Sequence, residues 1–207
     1  MASRLMELPK KSRLRESLFS WRALRRHSVW ILAASATGAV AALFRYLDDW
    51  SVQFSHWLAT VSPWIQPAML FFGMILICQL RDRFFRGTDG TGIPQAIAAL
   101  KIEDGPARDH VLSWRILVGK GLLLAIGLFA GMTIGREGPS VHAGACFMYL
   151  SNRWGNFQGW LVQRGLILAG GAAGIAAAFN TPIAGAVFAV EEIGRSFEKE
   201  NAGTIVR

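Results

Sequence analysis

The sequence predicts an all-α, polytopic membrane protein in which some helices are broken or only half-spanning. Hydrophobic residues make up 52% of the 207 residues and charged residues only 17%, and the mean hydropathy is +0.32. A soluble domain of this length carries more charge. Apolar runs long enough to cross a bilayer alternate with runs that glycine and proline interrupt. We therefore expect some helices to cross the membrane and others to end inside it.

Basic residues are concentrated before the first apolar run. Eight lysines and arginines precede it against two glutamates, a local net charge of +6. The positive-inside rule places this end in the cytoplasm, and residues 12–27 mix apolar and basic side chains as an interfacial helix does. We divide the chain into residues 1–28, a cytoplasmic basic amphipathic helix, and residues 29–207, a transmembrane domain. Because the excess charge is local, we expect no nucleic-acid partner.

Three apolar runs are long enough to cross a bilayer, at residues 29–47, 63–80 and 114–133. Residues 102–113 read as a polar connection between them. A fourth run, residues 166–194, is rich in glycine and alanine and is interrupted at Asn180, which we expect to divide it into two helices. Cys78 and Cys146 lie in apolar runs and are interpreted as core residues. No metal-ligand spacing occurs, so we expect no cofactor.

The most informative stretch is Gly-Arg-Glu-Gly-Pro at residues 135–139. It puts Glu137 between two glycines at the end of an apolar run, and Pro139 favours the first turn of a helix over its interior. A helix that starts here leaves unpaired N–H groups with the positive end of the macrodipole behind them, which favours an anion. The adjacent glycines allow close approach, and the Glu137 carboxylate competes for the same place.

Two further features are weaker alone. Gly-Thr-Gly-Ile-Pro at residues 90–94 precedes a short apolar segment, and Thr91 adds a hydroxyl donor at the turn. Lys120 lies within an apolar run, where a charge is costly. Its ammonium either extends to the membrane interface or forms a buried cation that favours anions, and the sequence supports both alternatives equally.

Three separated motifs carry a family resemblance: residues 90–94, residues 135–139, and Ala-Ala-Ala-Phe-Asn-Thr-Pro at residues 176–182. In this order and spacing, they resemble the amino-terminal part of the chloride channel (CLC) family of anion channels and proton-coupled anion exchangers. The resemblance extends from the basic amino-terminal helix to Glu192. It implies part of the first half of an inverted-repeat fold.

The resemblance also implies roles for individual residues. Glu137 is the expected gate, and Glu192 matches the glutamate through which exchangers of the family pass protons. Thr91 is expected to give a hydroxyl to the anion, where most relatives have serine, so anion selectivity stays open. The implied anion-binding set is Thr91, Gly92, Ile93, Arg136, Glu137 and Gly138, with Lys120 as electrostatic support. These roles imply a proton-coupled chloride antiporter subunit; a passive chloride channel and a remnant without transport are the alternatives.

The resemblance sets several further expectations. The chain is much shorter than the family fold, so we expect a fragment that lacks the second half. Family members imply a homodimer in the inner cell membrane, with chloride and protons as transported ligands. An embedded enzyme that pairs Glu137 with His142 is disfavoured, because five residues separate them by roughly 140° around a helix. We therefore expect no enzymatic activity.

Overall fold

The computed structural model describes residues 21–155 and 159–191, and these residues form eight α-helices without a β-strand. This confirms the all-α prediction. The helices are α1 (Trp21–Val61), α2 (Ile65–Phe84), α3 (Ile93–Ala99), α4 (Gly105–Val111), α5 (Trp114–Phe129), α6 (Glu137–Gly155), α7 (Trp160–Phe179) and α8 (Pro182–Glu191).

Four segments of the described chain are long and apolar enough to cross a membrane. They are His27–Val61, Ile65–Phe84, Gly105–Phe129 and Trp160–Phe179. The protein is therefore a multi-pass membrane protein. The first three segments contain most of the three predicted runs, and the fourth contains the first part of the interrupted run.

Helix α1 is much longer than the apolar run that predicts it. Its 41 residues correspond to about 60 Å, roughly twice the thickness of the hydrocarbon core. The helix continues through Asp48 and Asp49 because an acidic pair ends an apolar span without ending a helix. It also crosses the proposed division at residue 28 without interruption. That division stays a prediction, and residues 12–20 of the expected interfacial helix lie outside the described part of the chain.

Helix α6 lies at the centre of the core. Val141, Ala143, Ala145 and Cys146 on this helix are fully buried, and α7 packs against it along a glycine seam. At Gly174, an added Cβ would lie 2.5 Å from the Ser140 carbonyl oxygen. Small residues allow such an approach between membrane helices. Cys146 is buried as predicted, whereas the prediction for Cys78 is wrong because this residue is exposed on α2.

Three helices begin at breaks that the sequence predicts. Helix α3 follows Gly92, α6 begins at Glu137, and α8 follows a left-handed Asn180 with φ of 53°. The interruption after α7 therefore divides the last apolar run as expected. The connection at residues 102–113 contains helix α4, which the sequence analysis did not predict. Its buried Arg108 attaches the helix to α7, because the guanidinium donates to Gln163 Oε1 at 2.6 Å.

Candidate functional site

Two glycine-containing loops meet in the interior, and their main chains are in direct contact. An added Cβ at Gly92 would lie 2.5 Å from the Gly138 carbonyl oxygen and 2.8 Å from His142 Cβ. Conversely, a Cβ at Gly138 would overlap the Thr91 carbonyl and lie 2.9 Å from Thr91 Cβ. The two motifs, 46 residues apart in sequence at these glycines, thus form one site.

Glycine is needed at Gly92 for a second reason. Its φ of +114° is a conformation that side-chain-bearing residues rarely adopt. This conformation turns the chain into α3 beside the start of α6. The positive φ and the close approach to Gly138 together explain why the sequence has glycine at this junction.

A cavity of about 560 Å³ opens beside the junction. Its walls come from the end of α2, the loop before α3, the middle of α5, and the segment that leads into α6. The predicted site residues that line it are Thr91, Ile93, Lys120, Glu137 and Gly138. The other charged residues in its walls are Arg81 and Asp89.

Glu137 is the first residue of α6 and lies partly buried in the cavity wall. Its carboxylate folds back over the preceding loop, so that an added Cβ at Gly135 would lie 2.6 Å from Glu137 Oε2. Among the described residues, no hydrogen-bond or ion-pair partner holds this carboxylate. A carboxylate without a fixed partner can leave its position at little cost in lost contacts.

Backbone N–H groups converge on the same place. The helical hydrogen-bond ladder of α3 starts with the Ala96 N–H donating to Gly92 O at 3.0 Å, and that of α6 with the Ser140 N–H donating to Arg136 O at 3.1 Å. The N–H groups of Ile93 and Gly138 precede these bonds, so neither has an intrahelical acceptor. The positive ends of two helices therefore face one cavity.

The Lys120 ammonium is buried, which excludes the first of the two alternatives that the sequence left open, while its effect on an anion stays a prediction. The residue is 6% exposed, and its Nζ donates to Gly90 O at 3.2 Å and to Gln95 Oε1 at 3.0 Å. The ammonium therefore does not extend to the membrane interface.

Two of the predicted anion-binding residues do not line the cavity. Gly92 is buried against Gly138 and His142, and the Arg136 side chain extends to α1, where Nη1 donates to Asp48 Oδ2 at 3.1 Å. This ion pair attaches the segment before Glu137 to α1. Any contact of Arg136 with an anion therefore has to come from its backbone N–H.

A second cavity of about 340 Å³ lies on the other side of the segment that precedes Glu137. Its polar side chains are Asp48, Ser51, Ser55 and His56 of α1 and Thr133 of the loop after α5. Met132, Ile134 and Gly135 line both cavities. This segment therefore separates the Glu137 cavity from the second cavity, which lies at the far end of α1.

Sequence reasoning missed the polar residues that hold the loop before α3. Arg81 Nη1 lies 3.3 Å from Asp89 Oδ1, and Gln95 Nε2 donates to the Asp89 carbonyl. No local pattern marks these residues, because α2, the loop and α3 meet only in the fold. The one available signal was Arg81 at the end of the second apolar run.

Two remaining residues with a hypothesised role are Glu192 and His142. Glu192 lies outside the described residues, so its predicted role stays a prediction. His142 is fully buried, and its Nε2 lies 3.1 Å from the Val111 carbonyl oxygen, where it joins α6 to the end of α4. It does not line the Glu137 cavity. The two residues of the disfavoured enzyme hypothesis thus do not share a site.

Broken helices that begin at an interior cavity of a multi-pass membrane protein define a class of membrane transport protein. Residues 73–206 match the family model described as voltage gated chloride channel. The chain belongs to the chloride channel (CLC) family, as the sequence motifs predicted. This is a family of transport proteins, not of enzymes.

Curated relatives are distant and are matched only in part. Chloride channel protein CLC-d of Arabidopsis thaliana is 34% identical over 143 residues, which are 62% of this chain and 17% of the relative. Anion/proton exchange transporter GEF1 of Saccharomyces cerevisiae is 31% identical over 152 residues, 72% of this chain and 19% of the relative. H(+)/Cl(-) exchange transporter ClcA of Vibrio cholerae is 35% identical over 143 residues, which are 68% of this chain and 28% of the relative.

The chain thus spans less than a third of the length of these three relatives. No solved structure matches it.

Proposed function

We propose that this chain carries part of a proton-coupled chloride pathway, as a subunit of a chloride/proton antiporter. The observation that supports this most strongly is the shared cavity of Glu137, Thr91 and Lys120, where two helices also begin. It combines hydroxyl and N–H donors with a buried cation and a carboxylate that has no partner in the described part of the chain. Such a set can bind a small anion and exchange it for a tethered negative charge.

In the proposed site, the Thr91 hydroxyl and the backbone around Gly92 and Ile93 contact the anion from the α3 side. The backbone N–H groups of Arg136, Glu137 and Gly138 contact it from the α6 side. Lys120 adds a positive potential without leaving the cavity wall. Each of these assignments rests on the family motifs and on the positions given above.

Coupling follows from competition. An ionised Glu137 carboxylate and an anion favour the same positive surroundings, so each disfavours the other, whereas protonated Glu137 lets the anion enter. Proton and anion movements then become mutually dependent. We assign the transfer of protons on the other side of the membrane to Glu192, on the basis of the resemblance. The resemblance-based match of Glu192 is what favours antiport over a passive channel, since the relatives include proteins named as channels as well as proteins named as exchangers.

We place the protein in the inner cell membrane with a cytoplasmic amino terminus, because basic residues lead the chain. We also propose a homodimer, which the family resemblance implies. The lipid bilayer, chloride and protons are then its partners.

The test is simultaneous recording of chloride and pH in proteoliposomes that contain the protein. We expect coupled movement in the natural protein, and chloride flux without proton movement in Glu137→Ala, because alanine cannot carry the proton. Glu103→Ala is the matched control, since this exposed glutamate lies on the connection after α3; it should retain coupling.

Each other outcome selects an alternative. Chloride flux without proton movement in the natural protein would identify a passive channel. Absence of chloride flux would identify a remnant without transport of its own. Proton movement that persists in Glu137→Ala would remove Glu137 from the coupling mechanism.

A further inference from the structure

The partners of the buried Lys120 ammonium are both uncharged. Nζ donates to the Gly90 carbonyl and to the side-chain amide of Gln95, at 3.2 and 3.0 Å. Among the described residues, no carboxylate lies within 4.0 Å of Nζ. Its positive charge is therefore solvated by dipoles and is not cancelled by an ion pair.

The carboxylates of the same cavity are placed elsewhere. Asp89 is engaged by the Arg81 guanidinium, with 3.3 Å between Nη1 and Oδ1. The carboxylate of Glu137 folds over Gly135. The field of Lys120 thus extends into the cavity that both acidic residues line.

Gln95 is suited to this arrangement by having both a donor and an acceptor. Its Nε2 donates to the Asp89 carbonyl, and its Oε1 accepts from Lys120. Only one orientation of the amide satisfies both partners, because an ammonium only donates and a carbonyl only accepts. A glutamate at this position would accept from Lys120 but could not donate to Asp89 unless it were protonated.

We infer that Gln95 sets the anion affinity of the cavity: it holds the Lys120 ammonium with a neutral acceptor, so that the charge stays available to the anion. This inference rests on the proposed anion-binding function of the cavity. Gln95 does not itself line the cavity, so it is a positioning residue that acts through Lys120. Its neutrality, more than its size, is the property that matters.

The physical reason is the steep distance dependence of charge interactions in a site of low polarity. A carboxylate in place of the Gln95 amide would approach Nζ about as closely as the present oxygen and form a buried ion pair. Seen from the cavity, the two opposite charges would largely cancel, and the anion would lose most of the attraction that Lys120 provides.

The experiment compares Gln95→Glu with Gln95→Met in the purified full chain. Chloride binding is measured by titration calorimetry, and the KM and maximal rate of chloride flux are measured in proteoliposomes. For Gln95→Glu we expect the chloride Kd and KM to rise about tenfold, with a maximal rate within about twofold of the natural protein. For Gln95→Met we expect both constants to stay within about twofold, because the ammonium remains uncompensated.

A double-mutant cycle connects the effect to Lys120. Lys120→Met should weaken chloride binding about tenfold in the natural background but by less than about twofold in the Gln95→Glu background, because a buried carboxylate that loses its ammonium partner takes up a proton, so that the net charge at this position is zero before and after the substitution. Gln53→Glu is the control for an added carboxylate, because Gln53 is exposed on α1 and lines neither cavity. Should Gln95→Glu fail to fold, Gln95→Asp places the same charge on a shorter side chain and should also raise the chloride Kd, whereas its neutral counterpart Gln95→Asn should not.

The outcomes separate this inference from the proposed function. A natural protein that neither binds nor transports chloride would overturn the proposed function. A natural protein that binds chloride, together with an unchanged Kd in Gln95→Glu, would overturn the role of Gln95 alone. If the Glu and Met substitutions weakened chloride binding equally, the inference would also be overturned. That result would mean that Gln95 only supports the loop and that its lack of charge does not matter.

Discussion

At the scale of single residues, the candidate site depends on two glycines that keep two main chains in contact. Gly138 has no space for a side chain, because a Cβ there would overlap the Thr91 carbonyl and lie 2.9 Å from Thr91 Cβ. Backbone atoms cannot rotate away as the end of a flexible side chain does. Even one methyl group at this position therefore has to separate the loops.

We predict that Gly138→Ala destabilises the folded protein by about 1–3 kcal/mol, the usual cost of overpacking. Thermal unfolding in detergent measures this change. Gly38→Ala is the matched control, because Gly38 lies within α1 and an added Cβ there meets nothing within 4 Å. A Gly138→Ala protein as stable as the control would show that the loops can separate without cost.

The sequence predicts the site residues that belong to local motifs and misses those that long-range contacts bring in. Glu137 and Thr91 can be found from sequence because the glycines and prolines around them predict helix starts. Gln95 and Asp48 carry no such mark, since the side chains of Lys120 and Arg136 reach them only across elements that are distant in sequence. Distances between elements are set by the fold, and no local periodicity encodes them.

At the scale of helices, the pairing of α6 with α7 depends on glycines that face each other. Gly144 and Gly170 are each so close to the other's carbonyl that neither has room for a Cβ. In a bilayer, close packing of this kind stabilises a helix pair, whereas in soluble proteins burial from water does so. The seam holds α6, and therefore Glu137, in place.

We predict opposite signs for two alanine substitutions on α7. Gly170→Ala should lower stability by about 1–3 kcal/mol, because its Cβ meets the Gly144 main chain. Gly165→Ala should leave stability unchanged or raise it by up to about 1 kcal/mol, since an added Cβ there meets nothing within 4 Å and alanine favours the helix. Unfolding in a denaturing detergent series measures both, and equal effects would contradict a role for the seam.

Helix boundaries show what composition can and cannot predict at this scale. The breaks before α3, α6 and α8 follow from glycine, proline and Asn180, whose backbone preferences act locally. The end of α1 does not follow from Asp48 and Asp49, because charge limits the apolar span and leaves the helical hydrogen bonds intact. Helix α4 was missed because the contact of its buried Arg108 with Gln163 of α7 joins residues 55 positions apart, which no local pattern encodes.

At the scale of the whole molecule, basic side chains gather at one end of the helix assembly. Contacts between elements place their helix ends together: Arg115 donates to Phe84 O at 2.8 Å, and Arg25 donates to Trp154 O at 2.5 Å. The exposed basic residues of this end are Arg25, Arg83, Arg86, Lys101, Arg115 and Arg153. The opposite end of α1 carries Asp48, Asp49 and His56 beside a single exposed arginine, Arg45. The proposal that the basic end is cytoplasmic makes a prediction that labelling can test.

We predict that a membrane-impermeant thiol reagent labels His56→Cys, but not Lys101→Cys, in spheroplasts, where the reagent reaches only the outer face of the inner membrane. Both substitutions are made with Cys78→Ser, since Cys78 is exposed. Lys101→Cys should react only after the membrane is permeabilised, because Lys101 lies at the basic end. The reverse labelling pattern would place the basic end outside.

The contact between Thr91 and Gly138 also fixes one wall of the Glu137 cavity. Where two main chains touch, the wall is built from peptide planes whose dimensions hardly vary between amino acids. In the anion site that we propose, substitution of the surrounding side chains then alters the charge and the hydrogen-bond donors while this wall keeps its position. Single mutations can retune such a site among ions of similar radius, but a larger ion requires the two loops to move apart together.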